Sequence, residues 1–502
     1  MTSRIAPRAL ALTAAVSATL VAGSFGFDTT VPVATAQVSA QAIPADATGN
    51  INIHKFVNTT IGEQANGQEM PTAGMGVALD GVEYKVERVQ ADVTTNAGLE
   101  AASKLTPDTA QIDTGFAAQT QTTADGGLAT FSNLPVGVYL VTEVSAPDGV
   151  VKAPPFLVFL PMTNPDGSGW NFDVHAYPKN TETKVDKKID DTDKNVGDDI
   201  TYTITSDIPA LANETTELEK YIVQDDLDEA MLTTSPDKVT VNVGGTEYVQ
   251  GTDYNVTVDA TTQQVEVVFT PAGLSKLTAA KRADDTVRVE TAISATVGAI
   301  GDGTGVVTND AKTITNNGGG GGDTTTPSNE VITRWGKVNI NKKDEGGTAL
   351  AGAIFSVYEC TADGQTVGDA LTLQGQDSSD QYAGSQFTTA ADGTVVIDGL
   401  HVTNYENGAA LPEPKNYCLV EEQAPAGFAK LREPIPFQLQ EGAADVTGTD
   451  AEGNIEYTAD VVNYKDNTLP GTGGMGVTFI LIAGAAVVGA GAYAAKRNSK
   501  QA

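Results

Sequence analysis

Twice in this 502-residue chain an extended stretch alternates apolar and polar residues, then places a lysine where the next apolar residue belongs. Residues 49–55 end Ile51-Asn52-Ile53-His54-Lys55, and residues 336–342 end Val338-Asn339-Ile340-Asn341-Lys342. Successive side chains of a strand point to opposite faces. Ile51, Ile53 and Lys55 therefore share one face, as do Val338, Ile340 and Lys342, while Lys343 falls on the other. A period of two commits these stretches to half-buried strands, with a lysine aimed into each core. A second element recurs in the same two regions: Tyr139-Leu140-Val141-Thr142-Glu143 followed by Ala146-Pro147-Asp148-Gly149, and Tyr417-Cys418-Leu419-Val420-Glu421 followed by Ala424-Pro425-Ala426-Gly427. The two regions read as diverged copies of one module.

Elsewhere the pattern is again short strands between glycine- and proline-rich turns, which points to an all-β chain of sandwiches. Strands are expected at Gly81–Val89, Gly137–Glu143, Val196–Ile204, Lys238–Val243 and Gln264–Phe269, with one helical excursion within residues 87–115. At the N-terminus, Arg4 and Arg8 precede an apolar core from Ala9 to Val21 and the small residues Ala34-Thr35-Ala36, the marks of a secretory signal peptide over residues 1–36. Cleavage after Ala40 or Ala42 is the alternative. At the other end, Leu469-Pro470-Gly471-Thr472-Gly473 precedes an uncharged apolar run from Val477 to Ala495 and then Lys496, Arg497 and Lys500. That is a transmembrane helix with its basic flank inside. What lies between is too long for a single core and suggests three domains. The expected divisions are 37–180, 181–316, a flexible Gly/Thr linker at 317–333 with five consecutive glycines, 334–468, and the terminal signal at 469–502.

Net charge is −34 with only 30 basic residues, which disfavours nucleic acid as a partner. The two cysteines, Cys360 and Cys418, are expected to pair in an exported chain. The three histidines, His54, His175 and His401, have no metal-ligand spacing, and His54 and His175 read as outward strand residues. The acidic runs 190–193 and 225–228 have the ligand chemistry for Ca²⁺, but a solvated loop is the preferred reading, so no cofactor is expected. No phosphate loop, zinc signature or hydrolase triad is present in the sequence.

An inward lysine beside an inward glutamate is costly if both stay charged. Burial lowers the amine pKa and raises that of the acid, so both can be neutral. An asparagine within reach would then have its carbonyl polarised by the acid and attacked by the amine; ammonia leaves and an amide crosslink remains.

The terminal signal, this lysine–acid pattern and the segment Trp170 to Val174 to Tyr177-Pro178-Lys179-Asn180 occur together. In combination they resemble the sortase-assembled backbone (major) pilins of Gram-positive bacteria, the Spa/Fim-type fimbrial proteins, although Ala176 stands where the pilin motif usually has valine. The resemblance implies three tandem immunoglobulin-like β-sandwich domains of type-B, type-A and type-B collagen-adhesin kind. It implies self-formed Lys–Asn isopeptide bonds: Lys55 with Asn180 and acid Glu143, and Lys342 with Asn463 and acid Glu421. In the middle domain, Lys187 is chosen over Lys184 and Lys188, with acid Asp225 and acceptor Asn309, Asn316 being the fallback. It also implies that a pilin-class (class C) sortase reads Leu469, Pro470, Gly471, Thr472 and Gly473, cuts after Thr472, and joins Thr472 to Lys179 of an identical subunit. A housekeeping sortase would then anchor the fibre, with its minor pilins, to peptidoglycan, so the chain meets the membrane only before sorting. The resulting expectation is a structural, non-enzymatic wall-attached surface fibre. A monomeric wall-anchored adhesin or a minor tip or base pilin is the alternative.

Overall fold

A computed structural model describes residues 42–57, 65–167, 169–376, 381–440 and 455–465. The expected signal peptide, sorting motif and transmembrane span lie outside them. The described residues are almost entirely β, and their apolar side chains gather in three main cores.

The first core lies between a three-stranded sheet, ordered 173–176, 48–54, 128–135, and a four-stranded one, ordered 119–122, 83–89, 137–145, 156–160. Ile51, Ile53, Tyr84, Val86, Phe131, Tyr139, Val141 and Val174 fill it, drawn from both sheets. The alternation that announced the first strand thus holds in three dimensions. Strands 48–54 and 173–176 run parallel, with Ile53 opposite Ala176. Both continue into a small sheet ordered 77–78, 56–57, 179–182, 150–151. The helical excursion is the short helix Asn96–Ala102, started by Thr95, whose hydroxyl accepts from Gly98 N.

The middle core is enclosed by a sheet built on strands 185–190, 199–207, 288–297, 239–243 and 246–248 and a second of strands 254–258, 264–269, 220–226, 311–316 and 324–327. It also carries a helix that the sequence reading did not include, Pro271–Ala283. Thr270 caps it and Pro271 occupies its first turn, with Leu277 and Thr278 buried. Gly273 is required here, since a Cβ would sit 1.8 Å from the Asp253 carbonyl oxygen.

The third core lies between a sheet ordered 306–309, 331–344, 394–401, 373–376, 381–384 and one ordered 366–367, 354–360, 416–423, 435–437. Strand 456–463 runs parallel to 331–344. Cys360 and Cys418, on neighbouring strands, form a disulfide with Cα atoms 5.7 Å apart.

The segment expected to be a flexible linker is built into the fold. Thr324–Pro327 is a strand paired antiparallel with residues 312–315. The Asn329 side chain bonds the Lys187 backbone on both sides, accepting from its N (2.9 Å) and donating to its carbonyl (3.0 Å). No boundary falls at residue 333 either: Val331–Asp344 is one strand of 14 residues, giving Val331 and Trp335 to the middle core and Val338 and Ile340 to the third. The glycines that suggested flexibility allow close backbone packing instead.

Candidate crosslinking sites

In the first core Lys55 is 0% exposed, and its Nζ lies 3.0 Å from Glu143 Oε2. Asn180 Nδ2 donates to Glu143 Oε1 at 2.6 Å, and Asn180 Oδ1 has no hydrogen-bond partner. Tyr84, directly opposite Glu143 in the ladder, offers its hydroxyl to Oε2 at 3.4 Å. Ala153 N–H donates to the same oxygen at 3.2 Å. Burial pulls the Lys55 amine below its usual range, and the opposing pull of Glu143 does not restore it.

The third core repeats this plan. Lys342 is 1% exposed, its Nζ 3.4 Å from Glu421 Oε1 and in contact with Asn463 Oδ1. Asn463 Nδ2 donates to Glu421 Oε1 at 2.8 Å, and Leu431 N–H donates to Oε2 at 2.7 Å. Phe355 stands opposite Glu421, where the first core has Tyr84. Burial lowers the Lys342 amine to about 8. Lys343 is on the surface and pairs with Asp460 at 2.9 Å.

Three details show that the two sites are one design. Asn180 lies opposite Val57, and Asn463 opposite Asp344, so each asparagine faces the residue two places beyond its lysine on a parallel neighbour. A register shift precedes each aromatic residue, between Glu83 and Tyr84 and between Ile354 and Phe355, so that the aromatic residue stands directly opposite the acid. Each acid also takes a backbone N–H from ten residues downstream. The sequence reading missed these N–H donors, because a backbone donor leaves no mark in sequence beyond a shared spacing after the Tyr-x-x-x-Glu element.

The middle site differs in plan. Lys187 is 2% exposed, whereas Lys184 and Lys188 face outward. Its Nζ lies 2.6 Å from Asp225 Oδ2 and over the Tyr202 ring, 4.6 Å from the centroid. Burial lowers the amine and raises the Asp225 carboxyl, the directions needed for a neutral pair. Asn309 is 2% exposed, and neither its amide nitrogen nor its oxygen closes a hydrogen bond of acceptable geometry, although it bears on both Asp225 and Tyr202. Asn316 is elsewhere, opposite Lys220 and bonded to Asp323 at 3.1 Å.

Lys179 is exposed, as expected of an acceptor for another molecule, while the adjacent Asn180 is buried. In strand 179–182, Lys179 and Asn180 pair with Phe56 and Val57, while Thr181 and Glu182 pair with Val151 and Val150, so Lys179 has a strand partner on one side. Two of the three histidines meet. His54 Nε2 and His175 Nδ1 are 2.8 Å apart, and the His54 ring stacks on Tyr177 with centroids 4.7 Å apart. The acidic runs are not wholly solvated. Asp191 is 0% exposed; burial pushes its carboxyl up, but His401 at 3.2 Å, Thr333 and Asn407 N hold it below the usual range. Asp225 is taken by Lys187. Among the described residues no cluster of three or more His, Cys, Asp or Glu side chains is arranged to hold a metal.

Comparison with known proteins gives the class. The family description "Gram-positive pilin subunit D1, N-terminal domain" matches residues 46–181, and "Prealbumin-like fold domain" matches residues 336–452. Together with the all-β fold, these define a Gram-positive pilin. The fimbrial subunit type 1 of Actinomyces viscosus is 32% identical over 98% of both chains, and the chain belongs to this family of Gram-positive fimbrial subunits. The structure resembles the full-length major pilin SpaD of Corynebacterium diphtheriae, at 31% identity and a TM-score of 0.67 over 85% of this chain and 99% of that one. It also resembles the major pilin SpaA of the same organism, at 26% identity and a TM-score of 0.62 over 83% and 100% of the two chains. The SpaA structure points to a modular pilus assembly stabilizing isopeptide bonds.

Proposed function

We propose that this fimbrial subunit is the backbone of a covalent pilus attached to the cell wall and stiffened by three internal amides, Lys55–Asn180, Lys187–Asn309 and Lys342–Asn463. In each, the neutral amine attacks the asparagine Cγ while Glu143, Asp225 or Glu421 polarises its carbonyl. The new C–N bond forms, the old one breaks, and the acid relays the amine proton to the departing ammonia. Each event happens once, so the chain is a substrate of its own chemistry and not an enzyme. Between molecules, a class C sortase holds Thr472 as a thioester, and the Lys179 amine of the next subunit releases it. A housekeeping sortase ends the process on peptidoglycan.

The observation that carries this reading is the placement of Lys179 and Asn180. Of two consecutive residues of one strand, Lys179 is exposed and Asn180 is buried against the lysine–acid pair. An immunoblot of boiled cell-wall extracts tests it. The wild type should give a ladder of high-mass species that collapses to monomer in Lys179→Ala. Monomer alone in both strains would overturn polymerisation in favour of a wall-anchored adhesin, and a ladder in both would move the acceptor to another lysine.

A further inference from the structure

The acid of the third core is supported from within its own domain. The loop that gives Leu431 N–H to Glu421 is tied to the last strand: Ala429 N donates to Tyr464 O at 2.8 Å, and Phe428 pairs with Lys465. The corresponding loop of the first core, which gives Ala153 N–H to Glu143, is tied on one side to its own strand, Val150 and Val151 pairing with Glu182 and Thr181. Its other side is closed by the Gly/Thr segment of the middle domain.

The contacts are specific. Gly149 N donates to Thr325 O at 2.8 Å, and Thr324 Oγ1 donates to Val150 O at 3.4 Å. Thr183 N donates to Gly149 O at 2.8 Å, and the buried hydroxyls of Thr183 and Thr326 meet at 2.6 Å. At the residue just before Ala153, the fit is backbone on backbone: a Cβ at Gly321 would lie 2.6 Å from the Lys152 carbonyl oxygen. A Cβ at Gly319 would lie 2.8 Å from Ala212 Cβ and 3.3 Å from Pro154 Cγ. Glycine is needed at these places because only a bare backbone fits. The C-terminal part of the segment, Thr324–Pro327, is a strand of the middle sheet paired with residues 312–315, which ties its position to that sheet.

We propose that residues 317–327 are a positioning strap for the first-domain crosslink: they seat the Ala153 N–H on Glu143, so the Lys55–Asn180 amide forms only after the middle domain has folded against it. This rests on the Lys–Asn reading given above. It makes the N-terminal crosslink conditional on a domain that follows it in the chain, and it gives the glycine run a role in ordering maturation. The strap residues act through Glu143 and touch no reacting atom.

The test uses the full-length chain, expressed in a short pulse in a Gram-positive host without sortases, sampled over time and digested for peptide mass. Each amide appears as a joined peptide pair lighter by one ammonia, so the Lys187–Asn309 and Lys342–Asn463 pairs report folding in the same sample. Wild type should form all three. Gly321→Val should slow the Lys55–Asn180 pair by about ten- to a hundredfold, the effect of a small misplacement of a catalytic group, and leave the other two unchanged. Thr326→Val should slow it by a smaller factor, and Thr326→Ser, which keeps the hydroxyl, should restore it. The proposal is overturned if Thr326→Val and Gly321→Val form the first pair at the wild-type rate. If Gly321→Val loses all three pairs, the Thr326 variants decide in the same way. No joined peptides in the wild type is a separate result and sinks the crosslinking reading itself.

Discussion

Asn463→Ala removes the acceptor of the third site while leaving Lys342 and Glu421 in place. In the proposed reading the wild-type amide closes a loop between residues 342 and 463, and chain entropy makes such a closure worth about 5 kcal/mol. For a domain of this size that corresponds to a melting transition lower by about 15 °C. The variant also keeps a buried free amine whose pKa is pulled down to about 8 by burial, against 10.5 when unfolded. Below both values the folded state must hold a charge it disfavours; above both, it does not. The variant's stability therefore rises with pH between about 8 and 10.5, by about 3 kcal/mol in full, an increment absent from the wild type because an amide nitrogen does not titrate there. Calorimetry across that pH range, with peptide mass as the record of the crosslink, checks both effects. A third-domain transition within a few degrees of wild type, with the wild type shown to be crosslinked, would refute the loop-closure argument. A flat pH response in the variant would refute the buried amine.

The other predictions follow from the same geometry. Asn309→Ala should abolish the middle joined peptide whereas Asn316→Ala should leave it intact, because Asn316 bonds Asp323 and lies opposite Lys220; peptide mass distinguishes them. Replacing Cys360 and Cys418 together by serine opens a loop whose ends are 58 residues apart, which should cost the third domain about 4 kcal/mol, read by calorimetry, without loss of the Lys342–Asn463 peptide.

Much of the two similar sites is visible in single strands. Once Ile51 and Ile53, or Val338 and Ile340, are assigned to the core, a period of two forces Lys55 and Lys342 to follow them. The same rule separates Lys187 from Lys184 and Lys188 once the register is known, but three lysines in five residues hide it from sequence alone. Other features depend on partners distant in the chain. His54 and His175 meet because two strands run parallel, and Asp191 is buried because His401 and Asn407 come to it from the third domain. The glycine run was misread for a physical reason: glycine permits both a loose chain and a tightly packed backbone, and composition alone cannot distinguish them. The helix Pro271–Ala283 did carry its signals, a threonine cap and a first-turn proline, within a region whose other patterns were all β.

The proposed bonds gain their meaning from where the strands lead. Tension applied to Lys179 by the preceding subunit would enter the strand that holds Asn180 and run along its backbone through Thr181 and Glu182 into the middle domain, while the amide to Lys55 would tie the parallel opening strand to that loaded strand. At the other end, tension on Thr472 reaches Asn463 first and would cross to Lys342, on the strand that runs back through Trp335 and Val331 into the middle core. At this second place the crosslinked strands are parallel neighbours, so load along them would otherwise shear a ladder of hydrogen bonds each worth about 1 kcal/mol. In the proposed reading, a single covalent bond at the loaded end would remove the need for that ladder to hold, and the sandwich would serve to exclude water while the amide forms and to keep the lysine neutral long enough for it to do so.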